Sequence, residues 1–398
     1  RAFSLVKRFL ITSALEETWR DDMPVLFLGE WCHRYDRREK WQGLDAEVVP
    51  YHWDDRQKLH QDYLYLQELY EELLAELKEQ LNTLHGVEYS LRYWRILIGP
   101  WLGYFVPMLF DRWAMLQRAV NDYEISGVRV LLGTKSGLVS NDMDGFESLY
   151  VTDEFNESIC GELLEWMRFP TEFVSGRTPD SLSLLPSTYK NIGYRRRLSR
   201  ALARAASILS GVVCSEREYF FISTYLPIKQ DLLLQWKLGQ LPKLWRSVKV
   251  PTFIPDHAAR EQHLLFPGDA NDFPAIARAM IKRHIPTAYW EGYRGLMVLA
   301  QKLPWPKHPQ AIFTSNSFSS DDVFKAWAAD KVNTGTPLLI GQHGGNYGMA
   351  RWSFGEEHQI AIADCFLTWG WTQTDQQKVI PVGNFKDFGK KQGTDPNG

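Results

Sequence analysis

The sequence of 398 residues has no excess of basic charge and little cysteine. Lys and Arg number 45 against 48 Asp and Glu, a formal net charge of −3, whereas a protein that lives on nucleic-acid phosphates needs a clear basic excess. The four cysteines, Cys32, Cys160, Cys214 and Cys365, form no CxxC pair. Neither a disulfide framework nor a zinc knuckle is therefore expected, and the cysteine content favours a protein of a reducing compartment. The charge balance indicates that nucleic acid is not a partner.

Long apolar runs are also missing. The most apolar stretch, residues 93–110, contains Arg95 and is interrupted by Pro100 and Pro107, whereas a bilayer span needs about 20 mostly apolar residues. We interpret it as a buried helical hairpin. Because the chain starts without a signal-peptide apolar core, we expect a cytoplasmic protein with at most peripheral membrane contact. A basic helix predicted over 194–204 suits an anionic membrane surface or is simply a solvated face.

The signatures of four common enzyme classes are absent as well: GxxxxGK[ST], GxGxxG after a strand, HExxH and GxSxG. ATPase, dinucleotide-binding, zinc-protease and hydrolase interpretations therefore lack support. Aromatic residues, by contrast, are abundant at 14% of the chain. A large core explains most of them, and a few suit stacking on sugars or bases.

Short apolar runs separated by polar loops predict an α/β protein with two domains, at 1–210 and 211–389, and a linker or tail at 390–398. In the first domain, a stripe of apolar residues at steps of three and four predicts a long helix over about 54–84. Predicted strands lie at 9–12, 25–28, 46–49, 128–132, 311–314, 337–340, 365–368 and 379–382. Ligands of open parallel sheets bind beyond the carboxyl ends of the strands, so we look for a site in the residues that follow them.

Residues 314–317 (TSNS) follow one of these strands and precede a helix. Hydroxyl and amide N–H groups at the start of a helix form an anion site, so Ser315, Asn316 and Ser317 are candidate phosphate ligands. N-capping of the same helix is an equally common use of serine and asparagine. The sequence leaves both interpretations open.

The run 341–348 (GQHGGNYG) is the stronger candidate. Its adjacent glycines can adopt positive φ and bring backbone N–H groups close to a phosphate, to which the histidine can donate a hydrogen bond. A tight structural turn also uses glycines, but it does not need Gln and His beside them. The candidate donor-binding residues in this run are Gln342, His343, Gly344, Gly345 and Tyr347.

Two carboxylates are candidate catalytic groups. Asp231 precedes an apolar helix and has Lys229 nearby, whose charge would keep the carboxylate ionised as a nucleophile requires. Helix N-capping is the alternative for Asp231. Glu157 lies at the start of a predicted helix, where it suits a general acid/base or a partner of the helix dipole.

Four further charged residues are candidates for contact with an acceptor or with a substrate carboxylate. Glu16 and Glu17 follow the first predicted strand. Arg92 and Arg95 lie among aromatic residues, where arginine suits carboxylate binding. A buried structural ion pair is the alternative for both arginines.

Seven short motifs of the sequence, taken together, resemble those of a family of bacterial surface-polysaccharide transferases. More specifically, the chain resembles retaining β-Kdo glycosyltransferases, the N-terminal Kdo transferase module of WbbB-type lipopolysaccharide O-antigen synthases, over about residues 8–385. The motifs are Ser13–Trp19 (SALEETW), Leu26–Cys32 (LFLGEWC), Tyr51–Arg56 (YHWDDR), Arg95–Trp101 (RILIGPW), Phe313–Ser317 (FTSNS), Gly341–Gly348 (GQHGGNYG) and Thr368–Trp371 (TWGW).

The resemblance implies two Rossmann-like domains facing a cleft, in a modified GT-B-like architecture with long helical insertions. The first domain would bind the acceptor and the second the nucleotide sugar. The implied reaction transfers β-Kdo from CMP-β-Kdo to the end of a lipopolysaccharide O-antigen, with retention by double displacement. Asp231 matches the family's Tyr-x-Pro-Ile-x-x-Asp position as nucleophile, and Glu157 becomes the expected acid/base.

No cofactor and no metal are expected, because a departing CMP carries less charge than a diphosphate and hydrogen bonds can stabilise it. Cationic side chains such as Lys229 or Arg95 would bind the Kdo carboxylate. The expected partners are CMP-β-Kdo, a glycan or glycolipid acceptor, and other catalytic modules on the same polypeptide. Two alternatives stay open: an inverting, sialyltransferase-like CMP-sugar transferase and a non-catalytic glycan-binding module.

Overall fold

A computed structural model of the chain describes residues 6–131, 138–174, 215–263 and 272–389. The chain divides into two compact units, each built from three segments. Unit 1 comprises Arg1–Leu84, Trp101–Ser187 and Phe253–Glu291, and unit 2 comprises His85–Pro100, Thr188–Thr252 and Gly292–Gly398. The expected boundary at 210 and 211, the basic helix at 194–204 and the tail at 390–398 lie outside the described residues.

Unit 1 contains a five-stranded sheet in the order β3-β2-β1-β4-β5, and every neighbouring pair is parallel. Its strands are β1 (Arg8–Ile11), β2 (Val25–Phe27), β3 (Ala46–Val48), β4 (Ile125–Leu131) and β5 (Thr171–Val174). The first four confirm the strands predicted from apolar runs. The edge strand β5 was not anticipated, because it has no buried residue and therefore no apolar run.

Unit 2 contains a second five-stranded parallel sheet in the order β10-β9-β8-β7-β6. Its strands are β6 (Phe220–Ile222), β7 (Ile312–Thr314), β8 (Leu338–Gly341), β9 (Cys365–Thr368) and β10 (Val379–Pro381). On one face, Phe221, Phe313 and Phe385 form a small aromatic core. The predicted α/β class with two Rossmann-like sheets is therefore confirmed.

One or more α-helices separate most strands that are consecutive in the chain. They are α1 (Arg38–Trp41), α2 (Arg56–His85), α3 (Leu91–Asp122), α4 (Met143–Leu149), α5 (Asp153–Trp166), α6 (Ile228–Lys237), α7 (His257–His263), α8 (Phe273–His284), α9 (Tyr293–Lys302), α10 (Asp322–Asn333) and α11 (Phe354–Ile362). In α2, Leu66, Leu73, Leu77 and Leu81 are buried, which confirms the predicted apolar stripe.

The predicted hairpin at residues 93–110 is wrong, because α3 continues through both prolines as one helix of 32 residues. A proline inside a helix costs about 3 kcal/mol. Trp94, Trp101 and Phe105 are fully buried along this helix, and burying each large apolar side chain recovers roughly 1.5–3 kcal/mol. Burial therefore outweighs the hydrogen bonds that the prolines remove. Within the described ranges, no helix combines the length and apolar character needed to cross a bilayer.

Gly161 marks a close approach of α5 to the sheet of unit 1. A Cβ placed on Gly161 would lie 2.7 Å from Cγ1 of Val130, and the Val130 side chain is buried in β4 and stiff at χ1. We expect Gly161→Ala to destabilise the protein by about 1–2 kcal/mol in denaturant unfolding, since overpacking outweighs the gain of about 1 kcal/mol in helix propensity.

The control for this prediction is Gly43→Ala, because a Cβ on Gly43 meets no atom within 4 Å. Its free energy of unfolding should change by less than about 0.5 kcal/mol. Combining Gly161→Ala with Val130→Ala should be less damaging than the sum of the two changes. Simple additivity of the two would show that this contact does not limit the packing of α5.

Candidate active site

The loops that follow β6 and β7 are joined by hydrogen bonds at the carboxyl edge of the unit 2 sheet. Ser315 is fully buried and donates from Oγ to the carbonyl of Thr224 at 3.0 Å, while Ser317 Oγ lies 3.1 Å from Ser223 Oγ. Asn316 is exposed. Both serine hydroxyls therefore hold the two loops together, and Asn316 has the freely accessible side chain of the three.

The alternative that residues 315–317 cap the next helix is wrong. The N-cap of α10 is Asp321, whose side chain accepts from the backbone N–H of Phe324. The backbone N–H groups of Asn316 and Ser317 instead donate to Oγ1 of Thr314, at 3.3 and 3.0 Å. These two N–H groups are occupied within the turn itself.

The loop after β6 holds an unusual backbone. Ser223 and Tyr225 both have positive φ, 49° and 62°. Residues other than glycine adopt this backbone conformation at a cost of about 1–3 kcal/mol. The hydroxyl of Tyr225 lies 2.8 Å from Nδ1 of His343 in the loop after β8. The strained loop thus places a tyrosine beside the predicted histidine.

The glycine-rich run after β8 is ordered by its own glutamine. The buried side chain of Gln342 donates to the carbonyl of Gly344 at 2.6 Å and accepts from the backbone N–H of Trp369 and Nε1 of Trp371, each at 2.9 Å. Tyr347 is also buried, and its hydroxyl accepts from Gln359 at 2.7 Å. Gln342 and Tyr347 therefore shape the loop from within.

The same run presents His343 and Gly345 at the surface, with Gly344 half-buried between them. Gly341 at its start must be glycine, because a Cβ there would collide with Ser315 Oγ and with the ring of Phe385. The close approach of the β7 and β8 ends depends on that missing side chain.

A positive charge lies beside His343. Nζ of the exposed Lys386 is 4.6 Å from the ring centroid of Tyr225. Partial burial, together with the charge of Lys386, lowers the pKa of His343. The lowered pKa favours the neutral imidazole, whose ring hydrogen-bonds with the Tyr225 hydroxyl and with the backbone of Ser315, while Lys386 supplies the positive charge. Together these groups suit an anion such as a phosphate or a carboxylate.

Sequence reasoning missed Tyr225 and Lys386. Lys386 lies in a short turn after β10, and the topology places β10 four positions from β6 in the sheet. Phe385 inserts into the aromatic core beside Phe313 and carries that turn toward Tyr225. The sequence signal that could have indicated Lys386 is an aromatic residue, Phe385, next to a lysine after a predicted strand.

Asp231 lies in the first turn of α6 and is not its N-cap, so that alternative is wrong. The N-cap position is Pro227, which makes no side-chain cap. Oδ2 of Asp231 accepts from Thr224 Oγ1 at 2.8 Å, and Oδ1 accepts from Gln235 Nε2 at 2.7 Å. Both oxygens of the Asp231 carboxyl group are therefore held by hydrogen bonds from neutral side chains.

Lys229 does not form an ion pair with Asp231 among the described residues. Residues two positions apart on a helix point in different directions, and Lys229 is exposed whereas Asp231 is half-buried. The argument that Lys229 keeps the carboxylate ionised is therefore not supported by the geometry. The hydrogen-bond partners of Asp231 are Thr224 and Gln235 instead.

Glu157 belongs to unit 1, where α5 follows the β4 strand. It is almost fully buried, and its Oε2 accepts from Oγ1 of Thr12, the residue after β1, at 2.7 Å. Burial raises the pKa of Glu157, although the hydrogen bond from Thr12 opposes the shift. The side chain is thus a carboxyl group with high proton affinity beside the carboxyl edge of the unit 1 sheet, as a general acid/base requires.

Two of the four acceptor candidates are engaged in ion pairs. Arg37 binds both oxygens of Glu16, at 2.6 and 2.7 Å, and lowers its pKa. Arg92 binds both oxygens of Asp364, at 3.0 and 2.7 Å. For Arg92 the geometry matches the structural ion pair that the sequence left open.

Glu17 and Arg95 differ in their surroundings. Glu17 is exposed beside the Glu16 ion pair. Arg95 is half-buried in unit 2. Burial, with smaller effects from the charges of Arg95 and Lys325, lowers the pKa of His358 to about 3.

A cavity of about 450 Å³ adjoins the glycine-rich run in unit 2. Its wall includes Gly348 at the end of that run and two indoles, Trp352 and Trp371, with Arg351 and Gln376. The volume falls within the range of about 300–1,000 Å³ typical of small-molecule sites. Across the described ranges, His, Cys, Asp and Glu side chains form no group of three or more suited to a metal ion.

The sequence model of one family, described as LIC12162 family transferase, matches residues 8–398. The chain belongs to this family. It is accordingly an enzyme of the transferase class, which agrees at that level with the resemblance to polysaccharide transferases. No curated protein and no solved structure matches the chain significantly.

Because the carboxyl group of Glu157 is buried, we expect the free energy of unfolding of the transferase to depend on pH. The folded state holds the proton of Glu157 more tightly than the unfolded chain does, so its contribution to stability falls as pH rises above about 4.3, the usual pKa of a glutamate. Glu157→Gln carries no such charge. We expect the variant to gain stability relative to wild type, by up to about 1.4 kcal/mol per pH unit above that value.

Urea unfolding at several pH values between 4 and 8 measures this difference. Glu165→Gln is the matched control, because Glu165 lies on the same helix with an exposed side chain. The stability difference between this control and wild type should stay nearly constant with pH. A constant difference for Glu157→Gln as well would contradict a raised pKa for Glu157.

Proposed function

We propose that the transferase is a retaining glycosyltransferase that moves β-Kdo from CMP-β-Kdo to the end of a bacterial lipopolysaccharide O-antigen or to a related glycolipid. One observation carries the proposal: Asp231 lies in the same hydrogen-bonded set of loops as the candidate anion site around His343 and Lys386. Thr224 connects these loops, since its Oγ1 donates to Asp231 and its carbonyl accepts from Ser315. A nucleophile and a leaving-group site close together are what double displacement at an anomeric carbon requires.

In the first step, a carboxylate oxygen of Asp231 attacks the anomeric carbon of Kdo. The bond from that carbon to the phosphate oxygen breaks, and its electron pair leaves with CMP. In the second step, an acceptor hydroxyl attacks the same carbon, the ester to Asp231 breaks, and the hydroxyl proton passes to a base. Two inversions give net retention. We propose Glu157 as that base.

The leaving CMP gains negative charge as the bond breaks. We propose that Lys386, the neutral imidazole of His343 and the backbone of Gly344 and Gly345 stabilise it. Lys386 was not among the sequence candidates. Arg92 was a candidate for the acceptor or the Kdo carboxylate, and it is already bound by Asp364. Arg95 and Lys229 remain proposed contacts of the Kdo carboxylate, with Glu17 on the acceptor side.

The cavity beside the glycine-rich run suits the nucleoside half of the donor. Gly348 belongs both to this run and to the cavity wall, and Trp371 is held by its hydrogen bond to Gln342. A rigid indole offers a base a stacking surface. We propose that the cytosine enters this cavity. No metal is needed in this proposal, and we place the reaction at the cytoplasmic face of the bacterial inner membrane.

The test of the nucleophile is intact-protein mass spectrometry after incubation with CMP-β-Kdo generated in place. Wild type should gain the mass of one Kdo residue, and Asp231→Ala should show no adduct and lose transfer by about 10³-fold or more. Glu216→Ala is the control, because it removes an exposed carboxylate of unit 2 that pairs with Lys307. It should form the adduct normally.

Transfer with an inverted product and no adduct would favour the inverting alternative. Glycan binding without release of CMP would favour the binding module. An adduct that persists in Asp231→Ala would remove this residue from the covalent step.

The anion site is tested by the affinity for CMP. His343→Ala and Lys386→Ala should each weaken CMP binding about tenfold in calorimetry, close to 1.4 kcal/mol, the value of one hydrogen bond to a charged group. Cytidine, which has no phosphate, should bind all three proteins alike. An unchanged dissociation constant for CMP in both variants would reduce these residues to structural roles.

A further inference from the structure

Helix α6 buries a glutamine and half-buries an aspartate, while several of its large apolar side chains are exposed. Gln235 is buried and bonds to the backbone of Lys243, while Asp231 bonds to Thr224. Leu233 and Trp236, on other faces of the helix, are 42% and 67% exposed. A helix on the surface of a globular protein normally shows the reverse arrangement.

The exposed apolar side chains extend beyond the helix. We define the α6 surface as Ile228, Leu233, Trp236, Leu238, Leu241 and Leu244, all of which are exposed. Single exposed apolar residues are ordinary, but a series of large ones along one short segment marks an interaction site. The segment between residues 228 and 244 therefore presents a surface that an apolar partner would cover.

The exposed charged side chains within the segment 228–250 are all basic. Lys229, Lys237, Arg246 and Lys249 have exposed side chains. The acidic residue between 228 and 250 is Asp231, whose two oxygens already accept hydrogen bonds inside the unit. An occupant of this surface must therefore combine apolar character with negative charge.

We propose that the α6 surface binds an anionic phospholipid bilayer, with its apolar side chains at the boundary between headgroups and acyl chains. Tryptophan with flanking lysine and arginine is the composition typical of segments that lie in this interface. The cations would pair with lipid phosphates, and such a segment lies on the membrane without crossing it.

The surface and the proposed nucleophile lie on one helix. Because an α-helix with its side chains is about 10–12 Å across, bilayer contact would hold Asp231 close to the lipid headgroups. A lipid-linked acceptor would then meet the site without leaving the membrane. This consequence rests on the proposed function, but the binding itself does not.

The experiment is flotation of the full chain with vesicles of phosphatidylcholine alone and of phosphatidylcholine with an equal part of phosphatidylglycerol. Wild type should float with the anionic vesicles and much less with the neutral ones. Leu233→Ser combined with Trp236→Ser should reduce the bound fraction about tenfold, and Lys237→Gln combined with Arg246→Gln should lower binding to anionic vesicles selectively.

The matched control is Val298→Ser, which removes an exposed apolar side chain of α9 in the same unit. It should bind vesicles as wild type does. Far-UV circular dichroism and the CMP dissociation constant show that each variant is folded, and they separate a failure of membrane binding from a failure of the proposed reaction.

Two outcomes would overturn the proposal. One is equal flotation of wild type and the Leu233→Ser, Trp236→Ser variant. The other is sedimentation without vesicles that shows a dimer for wild type and a monomer for this variant, because the surface would then be occupied by a second copy of the chain.

Discussion

The side chain and carbonyl of Thr224 connect the parts of unit 2 on which the proposed chemistry depends. Its Oγ1 donates to Asp231, and its carbonyl accepts from Ser315 at the end of β7. The residues on either side, Ser223 and Tyr225, have positive φ. A strained backbone persists only where its surroundings fix it. These contacts therefore hold the loop after β6 in the conformation in which Thr224 binds Asp231 and Tyr225 lies beside His343.

The donor side of the site is built from groups that support one another. Gln342 is buried and orders the glycine-rich run, which leaves His343 at the surface. The positive charge comes from Lys386, which together with partial burial lowers the pKa of His343. An anion would therefore meet one fixed charge and neutral hydrogen-bond donors, an arrangement that suits a monophosphate leaving group. The carboxyl group of Glu157 in unit 1 has the opposite character, because burial raises its proton affinity.

Some assignments made from the sequence changed for reasons that local patterns cannot contain. Arg92 and Glu16 were candidate ligands, but each is bound by a partner far along the chain, Asp364 and Arg37. Lys229 is near Asp231 in sequence, yet helix geometry separates them. The prolines of α3 predicted a break, but buried aromatic side chains hold the helix together.

The sequence by itself determined the α/β class, most strand positions and the polar runs that follow the strands, because apolar periodicity reports burial directly. It also singled out Asp231 and His343. Only the tertiary structure decided which side chains are already engaged, that Tyr225 and Lys386 join His343, and that α6 turns its leucines and its tryptophan outward. These facts depend on which strand ends become neighbours in the sheet, and residues far apart in the chain determine that order.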